Sequence, residues 1–292
     1  MKIATEPTGW RVRRMQAEEI AQADTIRQLV GWNQTEADWR RLLALAPDGC
    51  FVAEAAAIPV GTVTTTGYGP GLAWIGMMLV HPEQRRQGIG AALLGQAVRH
   101  LQEVGTNCIG LDATPAGQPL YTGVGFRPVW DLARWQGTLS DYQPASAPEI
   151  VTQISDRFWP AIVELDRRAF GIARPDLLRA LAEQSARVAV AVDGAGGVAG
   201  FGMLRRGWRA WMLGPLVAVD RQSATHLLAA LCADLPPEPL FWDIPEPNQS
   251  AVQLAESLGF TRQRSLTRMA LGSGYPSHEP QLLYAVADLA AG

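Results

Sequence analysis

Cysteine, charge and long apolar runs are all scarce in this chain of 292 residues, and each shortage removes a class of protein. The three cysteines, Cys50, Cys108 and Cys232, stand far apart, in neither a disulfide framework nor the paired spacing of a zinc site. No metal is therefore expected, and thiols in apolar surroundings point to a reduced, cytoplasmic setting. Only 18% of the residues are charged and the formal net charge is −3, so no basic stripe is available to neutralise nucleic-acid phosphates. No apolar run approaches the roughly twenty residues that span a bilayer. Near the N-terminus, Arg11, Arg13 and Arg14 beside Glu18 and Glu19 stand where a signal peptide would have its apolar core. What is left, with 48% apolar residues, is a globular chain long enough for two domains.

The stretch Trp74 to Leu94 carries the chemistry. An apolar strand ends at Val80-His81-Pro82, a turn brings Arg85-Arg86 into Gly88-Ile89-Gly90, and an amphipathic helix over 88–104 starts there. Ile89, Leu93, Ala97, Leu101 and Val104 form its apolar stripe, and Gly105 suits its C-terminal end. The first N–H groups of a helix have no partner inside it, glycine lets a backbone approach a phosphate, and arginine can clamp one from the side. The loop therefore reads as an anion cradle, with an ordinary glycine hinge as the alternative.

Spacing narrows the anion. A P-loop requires Lys-Ser or Lys-Thr after its last glycine, where this chain has Ala91-Ala92, and the third glycine of a dinucleotide fingerprint is missing. The six residues Arg85 to Gly90, after Val80-His81-Pro82, resemble the [Gln/Arg]-x-x-Gly-x-[Gly/Ala] loop of the GNAT superfamily of acyl-CoA-dependent N-acyltransferases. A second string, Leu120-Tyr121-Thr122-Gly123-Val124-Gly125-Phe126, resembles the Leu-Tyr-x-x-x-Gly-Phe that closes the GNAT core. The strings Gly31-Trp32-Asn33-Gln34-Thr35 and Leu111-Asp112-Ala113-Thr114-Pro115-Ala116-Gly117 are similar to a bacterial branch of two-domain GNAT proteins with a degenerate second domain. That resemblance runs from about Val12 to about Leu271.

The chain also repeats itself. At an offset of 134, Leu93-Leu94 falls on Leu227-Leu228, Gly125-Phe126 on Gly259-Phe260, and Leu132 and Arg134 on Leu266 and Arg268. Trp74-Ile75-Gly76 further resembles Trp211-Met212-Leu213-Gly214. Each half reads as two helices, three strands, a long helix, a strand, a short helix and a final strand pair. The expected fold is α/β with a mixed sheet, in two tandem GNAT-like domains over 1–140 and 150–292, joined by a linker at 141–149. Residues past Tyr275 form a tail without an assigned place. In the second copy Gln222 and Ala224 replace Gly88 and Gly90, Val219 and Asp220 replace Arg85 and Arg86, and Ala255 replaces Tyr121. An acid facing phosphate repels it, so the second copy is expected to lack the cofactor.

The resemblance implies acetyl-CoA as cosubstrate, with its pantetheine arm along the strand end Met78-Leu79-Val80 and its pyrophosphate on Arg85, Arg86, Gln87, Gly88, Ile89, Gly90 and Ala91. It implies Tyr121 as proton donor to the departing thiolate, with simple packing as the other reading. Thr114 stands where many relatives have a cofactor-contacting Asn, and capping of the next helix is equally consistent. No general base stands out. Glu54, His81 and Asp243 are candidates through water, whereas Asp112 reads as a paired structural residue. Trp208, Trp211, Trp242, Asp243 and Glu246 are candidates for an acceptor wall. The expected reaction is acetyl transfer to an amine, more in keeping with a small molecule than a protein, with no nucleic acid or membrane partner and an open oligomeric state. The alternatives are a non-catalytic CoA-binding sensor and a transferase of longer acyl groups.

Overall fold

A computed structural model of the chain describes residues 9–139 and 149–292. The expected linker therefore lies outside the described residues, Glu149 excepted. In chain order the elements are β1 (Trp10–Arg14), α1 (Ile20–Leu29), α2 (Glu36–Leu45), β2 (Phe51–Ala55), β3 (Ile58–Gly67), β4 (Ala73–Val80), α3 (Ile89–Glu103), β5 (Cys108–Ala113), α4 (Gln118–Val124) and β6 (Arg127–Gly137). There follow β7 (Glu149–Val151), α5 (Trp159–Phe170), α6 (Pro175–Gln184), β8 (Arg187–Val192), β9 (Val198–Arg206), β10 (Trp211–Ala218), α7 (Arg221–Cys232), β11 (Leu240–Pro245), α8 (Gln249–Ser257), β12 (Thr261–Gly272) and β13 (Leu283–Ala285). The chain resolves into two compact units, 1–111 with Ala291 and 112–290 with Gly292.

In the first unit β1, β2, β3 and β4 form an antiparallel series, and β5 joins β4 in parallel. Helix α3 makes the crossover between β4 and β5, burying Ile89, Leu93, Leu94, Ala97, Val98 and Leu101. It seats on β3 at Gly61, where a Cβ would lie 3.0 Å from Leu93 and 3.1 Å from Ile89. The missing side chain sets the helix-to-sheet distance and so the height of the helix N-terminus. The second unit uses the same device: α7 seats on β9, where a Cβ on Gly200 would meet Leu227 at 2.9 Å and one on Gly202 would meet Leu231 at 2.7 Å. Its series β7, β8, β9, β10 is antiparallel, with β11 parallel to β10, so the repeat read from sequence is a repeat of structure.

Three strands escape the sequence pattern, and the terminal strand pairs differ from it. β1 is a charged edge strand whose arginines are neutralised locally: Arg11 and Arg13 both bond Glu54, and Arg13 also bonds Glu19. β7 and β13 have three residues each, too few for a period to show. Each copy ends on one long strand, β6 or β12, instead of a pair.

The compact units divide inside β5, whereas the repeat divides near residue 140, and β6 accounts for the difference. It is flanked on one side by β11 and on the other by β12, both from the second repeat. Leu132 lies opposite Leu266, and Arg134 opposite Arg264 as Trp130 is opposite Arg268. Residues related by the offset of 134 thus face each other about a local two-fold axis. Two buried ion pairs obey the same axis. Arg134 Nε and Nη2 donate to Asp243 at 2.8 and 2.6 Å, and Arg268 Nε and Nη2 donate to Asp112 at 2.9 Å each. Each arginine therefore holds the aspartate of the other repeat, and no member of the four is more than 4% exposed.

Removing one partner of such a pair strands a charge in the interior. Asp243→Ala is expected to cost about 3–5 kcal/mol of stability, and Arg134→Met with Asp243→Leu to recover most of it, read by chemical denaturation.

Candidate functional site

The loop before α3 is shaped by its backbone. Pro82–Gln84 forms a single 3-10 turn, Arg85 is extended, and Arg86 and Gly88 take left-handed φ values of 63° and 83°. A non-glycine residue in that region is uncommon, and alternation with it turns successive N–H groups inward as an anion-binding concavity. No side chain caps α3: Gly88 supplies none, and the first intrahelical bond runs from Ala92 N–H to Gly88 C=O. The N–H groups of Ile89, Gly90 and Ala91 are thus left over at the positive end of the helix dipole. Arg85, Arg86, Gln87 and Gly88 are exposed, while Ile89 is buried and pins the turn. Arg85 Nε donates to Val80 C=O at 3.3 Å, leaving its remaining donors free to face outward.

Strand β4 supplies the second feature. Its ladder to β5 covers Ala73↔Ile109 and Trp74↔Gly110 only, although β4 continues to Val80. The pairing is dense there because Gly110 has no side chain: a Cβ would lie 2.3 Å from the Trp74 ring. Past this point the β4 edge at Met78, Leu79 and Val80 has no ladder partner on the β5 side among the described residues, while its other edge pairs β3 at Leu79↔Thr62 and Val80↔Gly61. A bulge between Gly76 and Leu79, with Met77 at φ 44°, breaks the register, and Thr62 Oγ1 anchors it by donating to Met77 C=O at 2.7 Å. The first unit therefore presents an unpaired strand edge leading to an uncapped helix N-terminus.

In the second unit Tyr121 sits on α4, buried against Phe126 in an edge contact of 6.0 Å. Its hydroxyl has no hydrogen-bond partner among the described residues, and burial pushes the phenol up to about 12. Thr114 Oγ1 accepts from Gly117 N–H at 3.2 Å, closing the turn that leads into α4, whose N-terminus no side chain caps. Of the candidate bases, Glu54 is held low by Arg13 and Arg11, Asp243 is locked to Arg134, and His81 Nδ1 accepts from Glu83 N–H. Asp112 is the paired structural residue its sequence context indicates. Trp242 and Asp243 are fully buried, and Glu246 pairs with Arg262, so these three do not present an acceptor wall. Among the described residues no cluster of His, Cys, Asp and Glu could hold a metal, and no helix is long and apolar enough to cross a membrane.

The α7 N-terminus decides how the copies differ. Asp220 accepts from Ser223 N–H at 2.7 Å, so an acid fills the place that α3 leaves open. Two family descriptions match the chain: the acetyltransferase (GNAT) family over residues 15–126 and an acetyltransferase (GNAT) domain over residues 162–285. The chain is a tandem GNAT-superfamily protein. The fold of this tandem GNAT chain is similar to the crystal structure of a candidate acetyltransferase from Pyrococcus horikoshii, at 26% identity, a TM-score of 0.81 and coverage of 100% of this chain and 99% of that one. A tandem GNAT protein of the clavulanic acid biosynthesis pathway shares the fold at 17% identity, a TM-score of 0.64 and coverage of 90% and 98%. The uncharacterized N-acetyltransferase YitH of Bacillus subtilis (strain 168) is 25% identical over 188 residues, which span 64% of this chain and 65% of that relative.

The left-handed Gly88 allows a test without any ligand. A Cβ there would meet only Trp10, at 4.0 Å, so Gly88→Ala is expected to lose about 1–2 kcal/mol from backbone conformation alone. Chemical denaturation checks it, and Gly88→Asn should lose less.

Proposed function

We propose that this tandem GNAT protein transfers acetyl from acetyl-CoA to the amine of a small molecule, using the first copy. The observation that carries the reading is the pairing of an uncapped α3 N-terminus with an unpaired β4 edge in one unit. In this reading the backbone N–H groups from Arg86 to Ala91 bind the pyrophosphate, helped by Arg85, Arg86 and Gln87. Pantetheine adds to the edge of Met78, Leu79 and Val80 as an extra strand. The neutral amine attacks the thioester carbonyl, the oxyanion is met by backbone donors at the β4 bulge, and collapse expels thiolate. Tyr121 gives that thiolate its proton, and the proton that the amine nitrogen sheds as the amide forms returns through water to the phenolate. A phenol with a raised pKa is a poor acid but is fully protonated in the working range, and its hydroxyl has no competing partner. Thr114 adds a hydroxyl beside the cofactor. The second copy is degenerate, and the domains follow the repeat, 1–140 and 150–292.

One observation favours a second reading, a CoA-binding module without transfer: the carboxylates nearest to serving as base, on Glu54, Asp112 and Asp243, are all committed to arginines. Release of CoA in the presence of a panel of amines separates the two.

Calorimetric titration is expected to give one acetyl-CoA per chain. Gly88→Glu should weaken it more than about 100-fold, equivalent to roughly 3 kcal/mol, while leaving the folded fraction intact; unchanged affinity would remove the loop assignment. Tyr121→Phe should lower kcat by about 10²-fold or more with CoA affinity kept. Because the native phenol pKa is raised, its donor form is complete throughout the neutral and mildly alkaline range. The loss should therefore be the same at about pH 7 and about pH 9, and a loss that shrinks as pH rises would show another group to be the acid.

A further inference from the structure

The second copy also has a strand that parts from its neighbour, and there the gap is filled. β10 pairs with β11 at Trp211↔Leu240, Met212↔Phe241 and Leu213↔Trp242, and no further. Beyond that point β13, from the C-terminal tail, takes up the β10 edge in antiparallel register, with Leu216↔Ala285 and Val217↔Leu283. The tail is tied to β11 as well: Val286 N–H donates to Asp243 C=O at 3.0 Å, and Trp242 Nε1 donates to Tyr284 C=O at 2.7 Å. At Gly214 a Cβ would lie 2.1 Å from the Val286 carbonyl oxygen, so glycine admits the tail backbone. By the repeat, Gly214 follows Trp211-Met212-Leu213 as Gly76 follows Trp74-Ile75. The tail therefore lies on the second copy's equivalent of the edge that Met78, Leu79 and Val80 leave unpaired in the first.

Its path crosses the sheet. Asn248, the counterpart of Thr114 at the α8 N-terminus, donates from Nδ2 to the carbonyls of Gln281 and Leu283 at 2.8 and 3.2 Å, and Tyr284 OH donates to Ser250. At the other end Arg205 Nη2 donates to Ala287 C=O at 2.9 Å and stands 4.0 Å from Asp288. Gly200 and Gly202 of β9 face α7, so alternation puts Arg205 on the opposite face of the sheet. Every residue from Leu282 to Asp288 is buried. Tyr284 and Ala285 share one apolar cluster with Ala255, the residue that replaces Tyr121.

We infer that the second copy is a peptide-binding cleft whose ligand is this chain's own segment Gln281–Asp288, held as an extended strand in place of a pantetheine arm. The inference rests on the cofactor reading of the first copy for the comparison, and on the tail's own contacts for the site. A tethered segment acts at an effective concentration on the order of millimolar, and α7 offers no open N-terminus to a competing pyrophosphate because Asp220 caps it. The cleft is thus committed to a peptide rather than awaiting a second acyl-CoA.

The test uses the full chain and a chain ending at Glu279. The synthetic peptide Pro280–Gly292 is expected to bind the shortened chain one to one, raise its Tm towards that of the full chain, and be indifferent to acetyl-CoA. In the full chain, Asn248→Asp keeps the acceptor that caps Ala251 N–H but removes the donor to the tail. Amide exchange at Leu283 to Val286 should then rise about 10-fold or more, the equivalent of roughly 1.4 kcal/mol, with α8 amides unchanged. This variant serves even where the shortened chain does not fold. Exchange in the tail no faster than in the parent, or displacement of the peptide by acetyl-CoA, would overturn the inference. Peptide rescue together with a complete lack of acetyl-CoA binding would support the peptide cleft while removing the cofactor reading of the first copy.

Discussion

The arrangement of the second unit depends on two buried arginine–aspartate pairs exchanged across a local two-fold axis. Arg134 and Arg268 occupy equivalent places in the repeat, and each reaches the aspartate of the other copy. A buried charge can be satisfied only by a partner at the right distance and angle, so these bidentate bonds fix the register of β6 against β11 and of Asp112 against β12. A slip of one residue along either strand would turn the arginine to the opposite face. The pairs are thus devices of register, and their net contribution to stability is secondary. Like charges come close as a result: Arg264 lies opposite Arg134 in the ladder, and burial together with that neighbour lowers its guanidinium to about 10.

With register fixed, small residues set the working distances. Gly61 beneath Ile89 and Leu93 decides how near α3 lies to β3, Gly110 lets Trp74 fill the last paired position of β4, and Gly214 admits the tail backbone. Each is a place where a methyl group would collide with a neighbour, so each turns an absent side chain into a defined geometry. Gly88 differs in kind. Its space is open, and what it provides is a backbone conformation that leaves the α3 N–H groups facing outward.

Much of the fold was legible in the sequence where a period or a local motif carried it. Four residues of the α3 stripe (Ile89, Leu93, Ala97 and Leu101) are buried as their spacing predicts, whereas Val104 falls just past the helix and is exposed, and the offset that superposes Arg134 on Arg268 is a repeat of structure. The partners of those arginines were not legible, because Asp243 and Asp112 lie 109 and 156 residues away and nothing local marks them as recipients. Asp243 illustrates the error that follows: read alone it is a free carboxylate available for catalysis, whereas in the fold it is saturated. The tail was opaque for a related reason. Leu282 to Ala287 has no alternation because it is buried on all sides, and an apolar segment buried on all sides has no period to read.

The two copies show how one supersecondary unit can be kept open or closed by small means. In both, the crossover strand and its parallel neighbour separate after two or three pairs, which exposes backbone donors and acceptors along one edge. Such groups must find a partner or remain in water. The second copy provides the partner from within, capping its helix with Asp220 and its strand with β13. The first has Gly88 where a cap would be and, among the described residues, no strand on the β4 edge past Trp74. Because β6, a strand of the first repeat, has both of its ladder partners in the second, the closed copy cannot be discarded without stripping β6 of its sheet. The second repeat is therefore required by the sheet that holds the last strand of the first.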